Sequence, residues 1–110
     1  MNEMQVTTRN NVAGHLRKLA RLYQQQQASE TMTRGLDKLL HYETEFSQEQ
    51  LNQLQRDMRQ FEEKYGLSSA EFYQRFQAGE TDDRMDYVEW ASMAQMAQNL
   101  EARLELLTSA

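Results

Sequence analysis

The stretch Phe61–Trp90, FEEKYGLSSAEFYQRFQAGETDDRMDYVEW, decides how the whole chain is read. Gly66 follows a helix-forming run and supplies a left-handed stop, with Leu67 placed to fold back onto the last turn. Ser68 and Glu71 have capping-box spacing, and Leu67 can staple to Phe72. A short helix to Ala78 is expected, stopped by Gly79. Asp82 or Asp83 then caps a last helix, and Glu80, Asp82, Asp83 and Asp86 favour its positive end. Thirty residues of helix punctuation therefore join two longer segments.

Downstream, Trp90, Met93, Ala97, Leu100, Leu104 and Leu107 recur at spacings of three and four, one apolar seam of a long helix. Upstream, Leu51, Leu54, Met58, Phe61 and Tyr65 do the same. Ser47 and Gln50 look like a capping box, with Phe46 and Leu51 as its staple, so this helix is expected to begin near residue 48. The back of the chain thus reads long helix, short helix, long helix: an antiparallel hairpin with Phe72 and Phe76 plugging one end.

The front reads differently. Met4–Arg9 alternates, with Met4, Val6 and Thr8 on one face and Gln5, Thr7 and Arg9 on the other, as a short strand does; a disordered terminus is the competing reading. Asn10 or Asn11 offers a cap to a helix striped by Val12, Leu16, Leu19, Ala20 and Tyr23, with Arg17, Lys18 and Arg21 off the stripe. After Gln24–Gln27, Ser29 caps a second helix carrying Met32, Leu36, Leu39, Leu40 and Tyr42. The expected fold is mainly α, with a front of strand, helix and helix (residues 1–45) and a helical back (residues 46–110). So small a front buries little apolar surface alone, which predicts a homodimer or higher oligomer.

QVTTR, LRKLA and ASETMTRGLDKLLHY in this front resemble a ribbon-helix-helix DNA-binding module, in which paired strands from two copies enter the major groove. The resemblance implies that Gln5, Thr7 and Arg9 face base edges. It also implies that Ser29–Thr31, with Ser29 and Thr31 as contacts, offer backbone N–H groups to a phosphate. Three features depart from the pattern: Glu30 at the phosphate position, a glutamine-rich connection without a stop glycine, and a strand without a crisp hydrophobic pattern.

Charge separates the halves. Residues 1–42 hold six basic and three acidic groups, net +3; residues 43–110 hold six basic and fourteen acidic groups, net −8. Different partners, or chance polarity on solvated faces, fit this split. Mean hydropathy is −0.90, the apolar runs are too short for a membrane span, and cysteine is absent. A cytoplasmic protein without membrane contact is expected.

Chemistry-bearing patterns are few. His15 and His41 have no ligand at a zinc spacing. Glu80, Asp82, Asp83, Asp86 and Glu89 lack the calcium-loop pattern, and capping accounts for them more simply. There is no glycine-rich phosphate loop and no nucleophile triad, so no enzyme activity, cofactor or metal is expected. Tyr73, Tyr87 and Trp90 cannot all lie on the inner stripes with their neighbours, and Met85, Met93 and Met96 flank them: either they serve the core of the elbow, or they form a protein-binding surface with Asp82 and Asp83.

Phe61-Glu62, Lys64 through Ser69, Glu71-Phe72-Tyr73, Phe76, Gly79-Glu80, Asp86-Tyr87 and Glu89-Trp90 together are similar to a group of small prokaryotic proteins common in cyanobacteria and archaea. These are often encoded beside a small toxin gene and regarded as antitoxins of type II toxin–antitoxin pairs. The likeness covers residues 60–107. It implies a back half that neutralises a cognate protein toxin by direct binding, and a front half that binds operator DNA and represses its own operon. The alternative expectation is a helical homodimeric scaffold or adaptor without DNA binding.

Overall fold

A computed structural model describes residues 2–109, with the side chains of residues 2–8 and 10 outside the described set. The protein is mainly helical: α1 (Asn2–Gln24), α2 (Glu30–Tyr65), α3 (Ser69–Gln77) and α4 (Met85–Thr108). No strand occurs among the described residues. The chain divides into two compact units, Met1–Leu39 and Leu40–Ala110.

In the first unit, Met4–Arg9 does not form the expected strand but belongs to α1, and neither Asn10 nor Asn11 caps a helix start. A strand must find its hydrogen bonds on a neighbour, which a single copy of this segment lacks, whereas a helix satisfies them internally. The chain turns after α1 without glycine. Gln26 takes φ 59°, Gln27 N–H donates to the Leu22 carbonyl at 2.7 Å and Gln26 N–H to that of Tyr23 at 3.1 Å. This is the Schellman pattern with glutamine in the left-handed position, a conformation costing a side-chain-bearing residue about 1 kcal/mol or more. Ser29 then caps α2 as expected, its Oγ accepting from Met32 N–H at 3.1 Å. The Tyr23 hydroxyl meets Thr33 Oγ1 at 2.8 Å.

In the second unit the two seams do face one another. The buried cluster joins Leu51 and Met58 of α2, Phe72 and Tyr73 of α3, and Trp90, Ala91, Ala94 and Ala97 of α4. Leu54, Phe61, Tyr65, Met93, Leu100 and Leu104 pack around it. Phe61 near Trp90 and Tyr65 near Tyr87 set α2 and α4 antiparallel. Gly66 (φ 64°) and Gly79 (φ 73°) occupy the left-handed stops that the sequence assigns them. Leu67 N–H returns to the Glu62 carbonyl, and Glu80 N–H to that of Arg75 at 2.9 Å.

Two expected helix starts are not used. Ser47 caps nothing, because α2 runs unbroken from Glu30 to Tyr65. The reason lies in the seam: Ser47 precedes Leu51, Leu54 and Met58 by four, seven and eleven residues, which puts it on the inward stripe, and it is fully buried. Phe46, the supposed staple, is 56% exposed. With no Gly or Pro between Leu36 and Tyr65, nothing interrupts the ladder. At α4 the N-cap is Arg84, without a side-chain cap bond, rather than Asp82 or Asp83.

The Ser47 hydroxyl has no hydrogen-bond partner. A cap serine loses about 1 kcal/mol of stability on truncation to alanine. A buried, unpartnered serine inside a helix gains from the same change, through removed desolvation and better helix propensity. Ser47→Ala is therefore expected to leave stability unchanged or raise it by about 1 kcal/mol in denaturant unfolding followed by circular dichroism. A loss of that size would restore a helix start at this position.

Candidate functional site

The elbow where α2, α3 and α4 meet is built around Trp90. Its indole lies parallel to Phe72, with centroids 3.9 Å apart and 1° between planes. Phe61 (5.7 Å, 18°) and Tyr65 (5.9 Å, 22°) are near-parallel to it as well. Tyr87 meets Phe72 at 5.3 Å and Tyr65 edge-on at 5.0 Å. A buried tryptophan still needs an acceptor for its N–H, and Ser69 Oγ provides it at 2.8 Å.

The adjacent serines divide the work. Ser68 caps α3, accepting from Glu71 N–H at 3.2 Å. Ser69 holds the tryptophan, and its own N–H donates to Glu62 Oε2 at 2.8 Å. Glu62 thus accepts the Leu67 amide on its carbonyl and the first amide of α3 on its carboxylate. That satisfies a first-turn amide of α3 other than the Ser68 amide a capping-box Glu71 would reach, and the Glu71 carboxylate pairs with Arg75 at 2.8 Å instead. The sequence reading missed Glu62, because a helix end that caps the next helix lies outside the four-residue capping box.

A polar clasp closes the start of α4. Asp86 Oδ2 accepts from Tyr65 Oη at 2.6 Å and from Lys64 Nζ at 2.8 Å. Asp82 accepts from the Arg84 backbone N–H at 3.1 Å and from both ends of its guanidinium, Nε at 2.8 Å and the terminal nitrogen at 2.7 Å. The same guanidinium lies 4.4 Å from the Tyr87 ring centroid and 5.8 Å from that of Tyr65. Hydrogen bonds from the Arg84 side chain and then its backbone hold the Asp82 carboxyl down to about 2. The bonds from Lys64 and then Tyr65 lower Asp86, and Asp86 in turn raises Lys64.

The residues expected to contact a partner are thus scattered by burial. Trp90 is fully enclosed and Tyr73 is buried beside it, so both belong to the core and not to a contact surface. The reason is that α3 covers the flank of α4 on which Trp90, Ala91 and Ala94 lie, and two-helix periodicity takes no account of a third helix. Tyr87 is half-buried under Arg84; Asp82 is exposed but engaged with Arg84; Asp83 is exposed. Met85, at 80% exposure, and Val88 are the large apolar side chains exposed at the start of α4. A cleft of about 660 Å³ at the elbow is lined by Tyr65, Phe72, Tyr87 and Trp90 together with Glu71, Arg75, Glu80, Asp82 and Arg84.

Of the residues expected at DNA, Arg9, Ser29 and Thr31 are exposed, with the Ser29 hydroxyl engaged as the α2 cap. Gln5 and Thr7 fall among the residues whose side chains lie outside the described set. His41 Nε2 sits 3.1 Å from Glu45 in a helical i,i+4 pair. No group of three or more metal-ligating side chains occurs among the described residues, and no described helix is long and apolar enough to cross a membrane. Comparison with known protein families, curated proteins and solved structures returned no match.

The clasp carries a pH dependence. A carboxyl whose folded pKa lies below its ordinary 3.8 stabilises the folded state above that value and ceases to as pH falls through the folded pKa. For Asp82 the window runs from 3.8 down to about 2, and Asp86 acts in the same direction. Denaturant midpoints measured from pH 5 to pH 2 are expected to fall less steeply for Asp82→Asn/Asp86→Asn than for the native chain. Parallel profiles would remove the clasp from the account of stability.

Proposed function

We propose that the chain is a non-catalytic binding protein of the antitoxin kind: its acidic back covers a basic protein toxin, and its basic front self-associates and binds operator DNA. The observation that carries this reading is the contrast in finish between the units. Among the described side chains of residues 9–39 none is buried, while Val12, Leu16, Leu22, Tyr23 and Leu39 are exposed. An apolar helical pair without a core gains its stability by covering that surface with another chain. The second unit, by contrast, is closed on a buried aromatic cluster.

Charge supports a division of partners. The front, net +3 over residues 1–42, suits a polyanion; the back, net −8 over residues 43–110, suits a basic protein and steers its approach. A toxin acting on RNA would carry such a basic surface. With Trp90 and Tyr73 buried, the proposed contact surface is Asp83, Met85, Tyr87 and the rim of the elbow cleft. The DNA reading rests on Arg9, Arg17, Lys18 and Arg21 together with the charge of the front.

The scaffold reading keeps one specific support. Residues 2–10 are helical and not extended, so the base-reading ribbon is not formed in a single copy. In that reading the front still self-associates but binds no DNA.

Co-expression of the chain with the open reading frame beside its gene tests the proposal. Rescue from growth arrest and recovery of a complex of both proteins are expected. An innocuous neighbour that forms no complex contradicts the antitoxin reading. With the purified protein, a gel shift on the upstream promoter is expected to be lost in Leu16→Glu, through self-association, and weakened in Arg17→Ala. Absence of any shift in the native chain selects the scaffold reading.

A further inference from the structure

Away from the elbow, the α2–α4 hairpin carries an open groove of about 370 Å³ to which α3 contributes nothing. It is lined by Gln50, Gln53 and Leu54 of α2 and by Met96, Asn99 and Leu100 of α4. None of these residues is charged, in a stretch whose net charge is −8 over residues 43–110. The same face continues toward the far end of the hairpin. Phe46 precedes Gln50 and Gln53 by four and seven residues, and Leu106 follows Asn99 by seven, so each stays on the open side of its helix. Phe46, Met96 and Leu106 are 56%, 51% and 79% exposed.

The register of the two helices indicates what covers this face. Tyr65 lies against Tyr87 and Phe61 against Trp90. Both helices rise equally per residue and run in opposite directions, so counting back from these pairs sets Gln53 level with Asn99. The groove that these two residues share agrees with that count. Further along, Glu49 lies level with Arg103 and Phe46 with Leu106. A second copy, rotated by a half-turn about an axis parallel to the helices, keeps every level and lays its α2 over the first copy's α4. Phe46 then meets the partner's Leu106, and Glu49 meets the partner's Arg103. Glu49 and Arg103 are both exposed, and neither belongs to an ion pair among the described residues. A basic protein or a polyanion finds no counter-charge in the neutral groove, whereas a second copy matches it apolar to apolar and acid to base.

We infer that the open flank of the second unit is an interface between two copies of this chain, in which Phe46, Met96 and Leu106 are covered and reciprocal Glu49–Arg103 pairs close the rim. Two hairpins stacked this way form a four-helix bundle. Its neutral centre lets two acidic units approach without burying like charges against each other. The surface is distinct from the front stripe of Val12 and Leu16, and it stands whether or not the antitoxin reading holds.

The full chain carrying Leu16→Glu, which spoils the front stripe, isolates this interface, and its mass is measured by light scattering and sedimentation equilibrium. A dimer is expected. Adding Met96→Lys, at an exposed position, is expected to return the monomer with helical content by circular dichroism unchanged. Glu49→Arg and Arg103→Glu are each expected to raise the dimer Kd about tenfold, since every pair occurs twice in the dimer, and together to restore it to within about threefold. The chain has no cysteine, so mixing a Gln53→Cys chain with an Asn99→Cys chain reports the orientation. The mixed disulfide is expected in excess over either symmetric one. A monomeric Leu16→Glu chain, a dimer indifferent to Met96→Lys, a charge swap that restores nothing, or symmetric disulfides in excess would each overturn the assignment.

Discussion

The stacking of Trp90 on Phe72, with the indole N–H held by Ser69, is the interaction on which the second unit depends. Three helices meet in it, one contributing the indole, one the opposing ring and the acceptor, and one the flanking Phe61 and Tyr65. Truncation of a buried aromatic of this size costs about 3–5 kcal/mol, a large share of what a domain this small possesses. The hydroxyl matters in a different way, since an indole N–H enclosed without an acceptor carries its whole desolvation cost. Glu62 extends the arrangement by fixing the first amide of α3, and so the position of Ser69, against the end of α2.

Much of this unit was legible in the residues. Gly66 and Gly79 stop their helices because only glycine enters the left-handed region freely, and Ser68 caps because its neighbours lead directly into a helix. The two seams pair because their periods match. What failed, failed for local signals that have two meanings. Ser47 with Gln50 has cap spacing, yet the same serine continues the inward stripe of α2, and burial decided between them. Asp82 was well placed to cap α4, but a neighbouring guanidinium offered it a forked, charged partner instead. Trp90 and Tyr73 were misplaced because a two-helix pattern does not reveal which flank a third helix will cover. Gln26 in a left-handed turn and Met4–Arg9 in a helix are cases where chain context outweighed residue preference.

The proposed function rests on the same contrast of finished and unfinished surfaces. Where the aromatic stack closes the elbow, the surface left over is a cleft with a charged rim; the aromatic residues themselves serve the core. In the binding-protein proposal, the back unit therefore meets its partner through Asp83, Met85 and the edge of Tyr87, the exposed and half-buried side chains at this end. The front has the opposite character, with apolar side chains facing outward beside arginines and lysines.

The most direct test of this account is amide-type hydrogen exchange at the single indole N–H, followed by NMR. If Trp90 is the point through which the elbow is held, its N–H exchanges only when the unit unfolds, and its opening free energy equals the stability from denaturant unfolding. Exchange at a much lower free energy, with the unit still folded, would mean that the stack opens on its own. It would contradict the claim that the elbow is built on it.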